Sequence, residues 1–347
     1  MKKSAKYSQI KYHFTTISLK KKFYIEIKSY FYITLLLKNK EGLTPMLKIV
    51  FFIFTLFPFL FAFSQQDSQY TQYMYNTLQI NPAYAGSRDI MSIFLLHRNQ
   101  WLGLNGAPVT SNFSIHTPLG VSNFGAGLSF TRDEIGPTVT HLISANLAYF
   151  VPLTNTYKLA VGLNASANLF HLDVGKLTLY HQNDPEFQNI NTKFSPNLGV
   201  GLYLFSENTY AGISVPNFWE SYRYDDNSVA IFKQKMHFYF LAGKVFSLHE
   251  NLDFKPAVLT KIVEGAPLQI DLTANFLIQD QLTLGAAYRW EAALSGLIGF
   301  QISKSWFIGY GYDSETTQLR NYNSGSHEIF LRYEFNQSSR ITAPRFF

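Results

Sequence analysis

From residue 90 onward, apolar and polar side chains alternate along this chain with a period of two. Between Tyr157 and Leu169 the positions Tyr157, Leu159, Val161, Leu163, Ala165, Ala167 and Leu169 interleave with Lys158, Ala160, Gly162, Asn164, Ser166 and Asn168. The stretch from Leu268 to Ile278 does the same, setting Leu268, Ile270, Leu272, Ala274 and Phe276 against Gln269, Asp271, Thr273 and Asn275. A helix repeats every ~3.6 residues and cannot hold this period, so these are strands with one apolar face and one small or polar face. Fourteen such segments are predicted: Ile90–Arg98, Val109–Thr117, Phe124–Arg132, Thr138–Val151, Tyr157–Leu169, Asn197–Phe205, Tyr210–Val215, Met236–Ser247, Leu252–Val263, Leu268–Ile278, Gln281–Trp290, Leu294–Ile302, Ser305–Asp313 and His327–Phe335.

Most of these segments match the ~9–11 residues that a tilted transmembrane strand needs, and their number is even, as in single-chain outer-membrane barrels. With a periplasmic N-terminus, the outward connections are 99–108, 133–137, 170–196, 216–235, 264–267, 291–293 and 314–326, and every long one is among them. Short periplasmic turns with longer outer loops are the outer-membrane rule. A β-sandwich also alternates, but its solvent face should be charged, whereas these strands oppose an apolar face to Gly, Ser, Asn and Ala. The predicted fold is therefore all-β, a transmembrane antiparallel outer-membrane β-barrel of about 14 strands over residues 90–335. The parity assigns Leu163 and Leu272 to lipid and Asn164 to the lumen, where an introduced Arg should be tolerated far better. Gly125, Gly127, Gly199, Gly201, Gly309 and Gly311 fall at alternating positions, where a missing side chain relieves crowding or lets a plug approach the wall.

What precedes the strands sets the compartment. Starting at Met46, Lys48 is followed by an apolar run from Ile49 to Phe61 and by Ala62-Phe-Ser64, the layout of a secretory signal over 46–64. The run falls short of the ~20 residues needed to span a bilayer. Residues 1–45, rich in Lys, have no place ahead of a signal and are taken as an upstream extension from a wrongly chosen start; the eight-residue apolar run Tyr30 to Leu37 is the rival, a membrane helix. Residues 65–89 are then a periplasmic N-terminal segment or a plug, and 336–347 a C-terminal tail.

The formal charge of +6 would suggest an anionic partner, but residues 1–64 hold 11 of the 29 Lys and Arg and 2 of the 23 Asp and Glu. From Gln65 on, 18 basic residues face 21 acidic ones, and no basic stripe for nucleic acid survives. The absence of Cys excludes disulfides, thiolate metal sites and a lipoprotein anchor. Aromatics at 17% with charged residues at 15%, and a near-neutral mean hydropathy, fit strands that face lipid on one side only.

No phosphate loop, paired-His metal motif or nucleophile elbow is present, so no enzyme and no cofactor are expected. Ser114 and His116 share a strand face, as any period-2 spacing allows, and no third catalytic partner is identifiable. His97, His141 and His327 are read as lumenal or interfacial side chains. The acidic residues Asp184, Glu186, Asp225 and Asp226 lack calcium-loop spacing and are read as solvated turns. Trp101, Trp219, Trp290 and Trp306 lie at or near strand ends, where interfacial anchoring is the first reading.

Four ordered blocks carry a family resemblance: Gln72 to Asn76 (Gln-Tyr-Met-Tyr-Asn) with Ile80-Asn-Pro-Ala-Tyr-Ala-Gly86; Arg98-Asn-Gln-Trp101 with Gly106-Ala-Pro108; Leu319 to Glu328 (Leu-Arg-Asn-Tyr-Asn-Ser-Gly-Ser-His-Glu); and Leu331-Arg-Tyr-Glu-Phe335. Together, over Gln65 to Phe335, they resemble the PorP/SprF family of type IX secretion system membrane proteins. The motif residues are Asn81, Pro82, Ala83, Tyr84, Gly86, Arg98, Gln100, Trp101, Arg320, Asn321, Tyr322, Gly325, His327 and Glu328, with structural or partner-binding roles. The resemblance implies a Bacteroidota outer membrane, type IX export or gliding motility, and partners among that system's components and an exported surface adhesin bearing a C-terminal sorting domain. Outer-membrane lipid would surround the barrel. Family members end near the Tyr-Glu-Phe strand, which leaves Phe335 and Phe347 as the two candidate terminal aromatics.

Two functions stand open: a barrel that binds or anchors an adhesin, and a pore for a small or apolar solute. For the first, the loop residues Phe218, Trp219, Tyr222, Arg223 and Tyr224 form the candidate partner-binding set, because aromatic residues and Arg dominate binding hot spots. Export should remove everything through Ser64, so mass spectrometry of the envelope protein should find Gln65, intact or cyclised, at the mature N-terminus. A mature chain retaining Tyr30 to Leu37 would overturn that expectation.

Overall fold

The computed structural model describes residues 73–120, 123–177, 189–219, 221–222 and 233–335. The alternation becomes fourteen strands: β1 Ser92–Asn99, β2 Val109–Pro118, β3 Phe124–Ile135, β4 Thr138–Pro152, β5 Lys158–Leu172, β6 Ile190–Phe205, β7 Thr209–Val215, β8 in two pieces (His237–Lys244 and Phe246–His249), β9 Leu252–Val263, β10 Gln269–Ile278, β11 Leu282–Arg289, β12 Ala293–Gln301, β13 Trp306–Glu315 and β14 Ser326–Glu334. Each pairs antiparallel with its neighbours in the chain. The ring closes where β1 meets β14, from Ser92 opposite Glu334 to Asn99 opposite His327. Closure leaves no open edge among these strands, the condition for strands in hydrocarbon, where an unpaired N–H or C=O has no water to bond.

The parity is as the sequence predicts. Leu163 and Leu272 point outward at 57% and 48% exposure, while Asn164, at 7%, points into the ring and donates a 2.8 Å hydrogen bond to Asn146 Oδ1. That inward packing corrects one expectation: an Arg at Asn164 would meet a filled interior rather than water. The outward face is almost wholly aliphatic and aromatic, with Leu128, Leu147, Ile213, Phe240, Ile298 and Phe300 among its exposed members.

The loops sort by rim. At one end the connections are 100–108, 136–137, 173–189, 216–236, 264–268, 290–292 and 316–325; at the other they are 119–123, 153–157, 206–208, 250–251, 279–281 and 302–305. Two predicted long loops shorten because pairing continues past the expected strand ends. β3 and β4 stay paired to Ile135 and Thr138, leaving only Gly136 and Pro137 for the turn, with Gly136 at φ +56 in the left-handed region that glycine tolerates. β5 and β6 likewise pair out to Leu172 and Ile190.

β8 keeps one register against β9 from His237 to Ser247, across an interruption between Lys244 and Phe246, and then shifts at a bulge between Ser247 and His249. By that register Lys244, the last residue before the break, faces Pro256, which has no N–H to give the ladder. The Val245 N–H turns away to Asn208 O at 2.7 Å.

Two tryptophans follow the interfacial expectation: Trp290 and Trp306 are exposed at strand ends. Arginine at Leu163, in the middle of β5, should destabilise the barrel by ~2–4 kcal/mol, and arginine at Leu272, nearer the long-loop rim, by less. Urea titration in vesicles, read by heat-modifiable gel mobility, measures this; unchanged midpoints for both variants would overturn the parity.

Candidate functional site

Residues 73–89 occupy the inside of the ring. The order of turns is local chemistry: 3-10 turns at Thr77–Gln79 and Pro82–Tyr84, the second entered through Asn81, whose side chain accepts from Ala83 N at 3.0 Å. The Pro at the first position of that turn gives up an N–H that would be unpaired anyway.

Glycines on the wall make room for this segment. A Cβ at Gly125 would collide with the Ala85 carbonyl, one at Gly162 with the Ala83 backbone, and one at Gly201 with the Asn81 side chain. Gly127 faces Leu78. Of the other glycines singled out in the sequence, Gly199 makes room for Pro216 and Gly309 for the Phe330 ring. Gly162, which the sequence pattern presents only as one more small residue of β5, is among the closest contacts.

Polar side chains complete the fit. Asn76 donates to Asn112 Oδ1 at 2.6 Å and accepts from Ser114 Oγ; Gln79 donates to Thr131 Oγ1 at 2.7 Å; Asn81 donates to Leu202 O at 3.0 Å; and Ser214 Oγ donates to Ile80 O at 2.6 Å. The Gly86 N–H donates to His116 Nδ1 at 3.3 Å, with the Tyr84 ring edge-on to the same imidazole. Ser114 and His116 are thus both engaged by the inner segment, which leaves no nucleophile and base pair between them. Hydrophobic packing comes from Tyr73, Leu78, Ile80, Ala83 and Tyr84 against Tyr203, Tyr210, Leu241 and Leu259. Tyr75 packs separately against Phe307 and Phe330.

At the seam the interior is ionic. Arg98, 2% exposed, donates to Asp313 Oδ2 at 2.6 Å and to Glu328 Oε2 at 3.1 Å. Closer to the short-loop rim, Arg88 of the inner segment pairs with Glu334, which also takes Arg332 at 3.3 Å. Motif residues from the two ends of the chain, Arg98 and Glu328, are thereby brought into direct contact. Asp313 and Arg88 were not singled out from sequence, and Glu334 entered only within the fourth block; for Asp313 the signal available was a charged residue on the inward face of β13, where Phe307, Gly309 and Gly311 otherwise stand.

Above the ionic seam the loop after β1 is clasped to the loop before β14. Leu102 N donates to Gly325 O and Ser324 N to Leu102 O, both at 2.8 Å. Trp101 gives its backbone N–H to Ser326 Oγ at 3.2 Å and its indole N–H to Glu315 Oε1 at 2.8 Å. Trp101 is therefore a loop clasp rather than a membrane anchor. Gly325 adopts φ +88, and a Cβ there would strike Tyr312, which explains a glycine at this motif position. Gln100 contributes its backbone N–H to Pro108 O at 2.9 Å. Arg320, Asn321 and Tyr322 sit on an exposed 3-10 turn, Tyr322 at 71% exposure, and His327 faces outward beside Tyr310.

The candidate loop is split. Residues 216–219 fold back toward β6: Phe218 N donates to Leu198 O, and Asn197 exchanges two hydrogen bonds with the Trp219 backbone. This leaves the Trp219 ring 54% exposed. Tyr222 pairs through its backbone with Lys233 in a two-residue ribbon, and Arg223 and Tyr224 lie outside the described residues, as do Asp184, Glu186, Asp225 and Asp226. Among the described residues no group of three or more His, Asp or Glu is placed to hold a metal ion.

A closed fourteen-strand antiparallel barrel with an aliphatic outer belt is an outer-membrane protein. The chain belongs to the family of type IX secretion system membrane proteins PorP/SprF, whose model matches residues 62–333. No curated protein matches the chain in sequence. Among solved structures, the CymD monoaromatic hydrocarbon channel is similar at 13% identity and a TM-score of 0.47, covering 77% of this chain and 94% of that one. The Ralstonia pickettii toluene transporter TbuX gives 11% and 0.47, over 75% and 93%. The KdgM porin gives 8% and 0.36, over 71% and 99%.

Replacing Arg98 by alanine would strand Asp313 and Glu328 in the interior, so a loss of ~3–5 kcal/mol is expected, as for any broken buried ion pair. The triple variant R98A/D313N/E328Q, which removes all three charges together, should recover much of it. Both are read from urea midpoints in vesicles; equal stability of wild type and R98A would overturn the pairing.

Proposed function

We propose that this barrel is a non-enzymatic receptor that holds one exported surface adhesin at the outer face of the membrane, with the long-loop rim outward and residues 73–89 acting as a plug. The observation that carries this reading is the filled interior. A segment seated against wall glycines, bonded to β2, β3, β6 and β7 and tied to Glu334 through Arg88 supports a closed scaffold over a conduit. What such a scaffold offers a partner is its rim. There the exposed aromatics Trp219 and Tyr322 stand on segments pinned by backbone bonds, and rigid aromatics on a pinned backbone lose little entropy on binding. Family membership supplies the type IX context. The proposed partner is a protein carrying a C-terminal sorting domain, and gliding motility is the process in which retention of such an adhesin would count.

The test combines deletion of residues 220–230 with Phe218→Ala and Trp219→Ala. Each strain should lose surface retention of one secreted adhesin while the barrel stays heat-modifiable and other exported proteins are unaffected. Normal display of every adhesin, or saturable passage of a defined solute through the purified wild-type barrel, would replace the receptor reading with the pore reading.

A further inference from the structure

The outward face is not uniformly greasy. Register places Arg132 of β3 opposite Ser111 of β2, and Ser111 opposite His97 of β1, so a cation, a hydroxyl and an imidazole stand side by side on three consecutive strands. His97 Nδ1 and Ser111 Oγ share a 3.0 Å hydrogen bond. One strand further, His141 of β4 lies opposite Arg132. Side chains directly opposite on one face are ~4.5–5.5 Å apart at Cβ, so the row can act on a single ligand. On the far side of the barrel the row at the same rim reads Leu272, Tyr288 and Leu294. A row of a cation, a hydroxyl and two imidazoles, on a surface meant for hydrocarbon, calls for a ligand.

Directly below the row, toward the middle of the barrel wall, β1, β2 and β3 together with β13 and β14 form a surface groove of about 430 Å³, lined on its outward side by Leu95, Phe113, Phe130, Ile308, Ile329 and Leu331 and reached by His97 and Ser111 of the row. Phe113 and Phe130 are neighbours of Ser111 and Arg132, two residues along the same strands. A ligand with an anionic head and an apolar tail matches both parts at once. Arg132 is bonded to Glu134 at 3.0 Å, but its side chain is 52% exposed, and a guanidinium has five donors to offer.

We propose that this face binds a phosphorylated glycolipid of the outer leaflet, of the lipid A class. Its phosphate is held by Arg132, with one further donor from the His97–Ser111 pair, whose other donor is used in their mutual bond, and an acyl chain lies in the groove. A planar guanidinium suits a phosphate through paired, charge-assisted hydrogen bonds. The choice of outer-leaflet lipid rests on the outward placement of the long-loop rim proposed above, because the row lies within two residues of the end of β1 at that rim.

The test uses the full-length barrel in detergent, with native mass spectrometry after addition of lipid A, or separately of phosphatidylethanolamine or phosphatidylglycerol. Wild type should hold about one lipid A per barrel. R132A and the R132A/S111A/H97A triple variant should bind it at least ~10-fold more weakly, whereas Leu294→Ala on the far face should match wild type. All binding is counted per folded barrel by heat-modifiable mobility, so a folding defect does not mimic the result. Equal binding of the phospholipids, sensitive to the same variants, would overturn the lipid A assignment. Binding that is absent, or lost equally in Leu294→Ala, would overturn the site. An epitope in 173–189, labelled on intact cells or only after permeabilisation, tests the orientation separately.

Discussion

Hydrocarbon cannot accept or donate a hydrogen bond, and from that constraint the rest of this structure follows. A strand in it needs two neighbours, so the first strand must find the last, and β1 meets β14 along its whole length. Once the ring is closed, its outside is fixed as apolar and its inside becomes a second problem of packing. The chain solves that problem with itself, laying residues 73–89 against the wall.

The two solutions use opposite chemistry. Over most of the outside, one aliphatic or aromatic side chain substitutes for another with little consequence, because bulk hydrocarbon has no shape to match. Inside, the contact is backbone against backbone at Gly125 and Gly162, with Asn, Ser and Thr side chains closing the remaining donors and acceptors. Such a surface is specific: a single methyl group at Gly162 has nowhere to go. The seam adds charge, and Arg98 between Asp313 and Glu328 makes the identity of three strands interdependent.

This difference decides what could be read from the sequence. The period-2 pattern is imposed by lipid on every strand, so all fourteen strands and the parity of Leu163 and Leu272 were legible. Strand ends were less so, because β3 to β6 continue as paired strands beyond the apolar belt, where no hydrophobic signal marks them. The ion pairs could not be read at all: Arg98 and Asp313 are 215 residues apart, and only closure brings them together. Of the family-motif residues, Asn81, Arg98, Gly325 and Glu328 proved to be contacts that hold the molecule together, whereas Arg320, Asn321 and Tyr322 lie exposed at the rim. A motif compiled from resemblance mixes these two kinds, and burial separates them.

The position of the inner segment in the chain has a consequence for how the molecule is made. It is joined directly to β1, which is also one half of the closing seam, and Arg88 at its end bonds to Glu334 on the other half. The lumen it fills is bounded by strands that follow it in synthesis. The segment gains its contacts only once β2 to β7 have formed the wall that receives it, and its bond to Glu334 only once β14 has joined the ring. The strand that closes the ring thus also holds the end of the segment inside it, so closure and filling are tied through one ion pair.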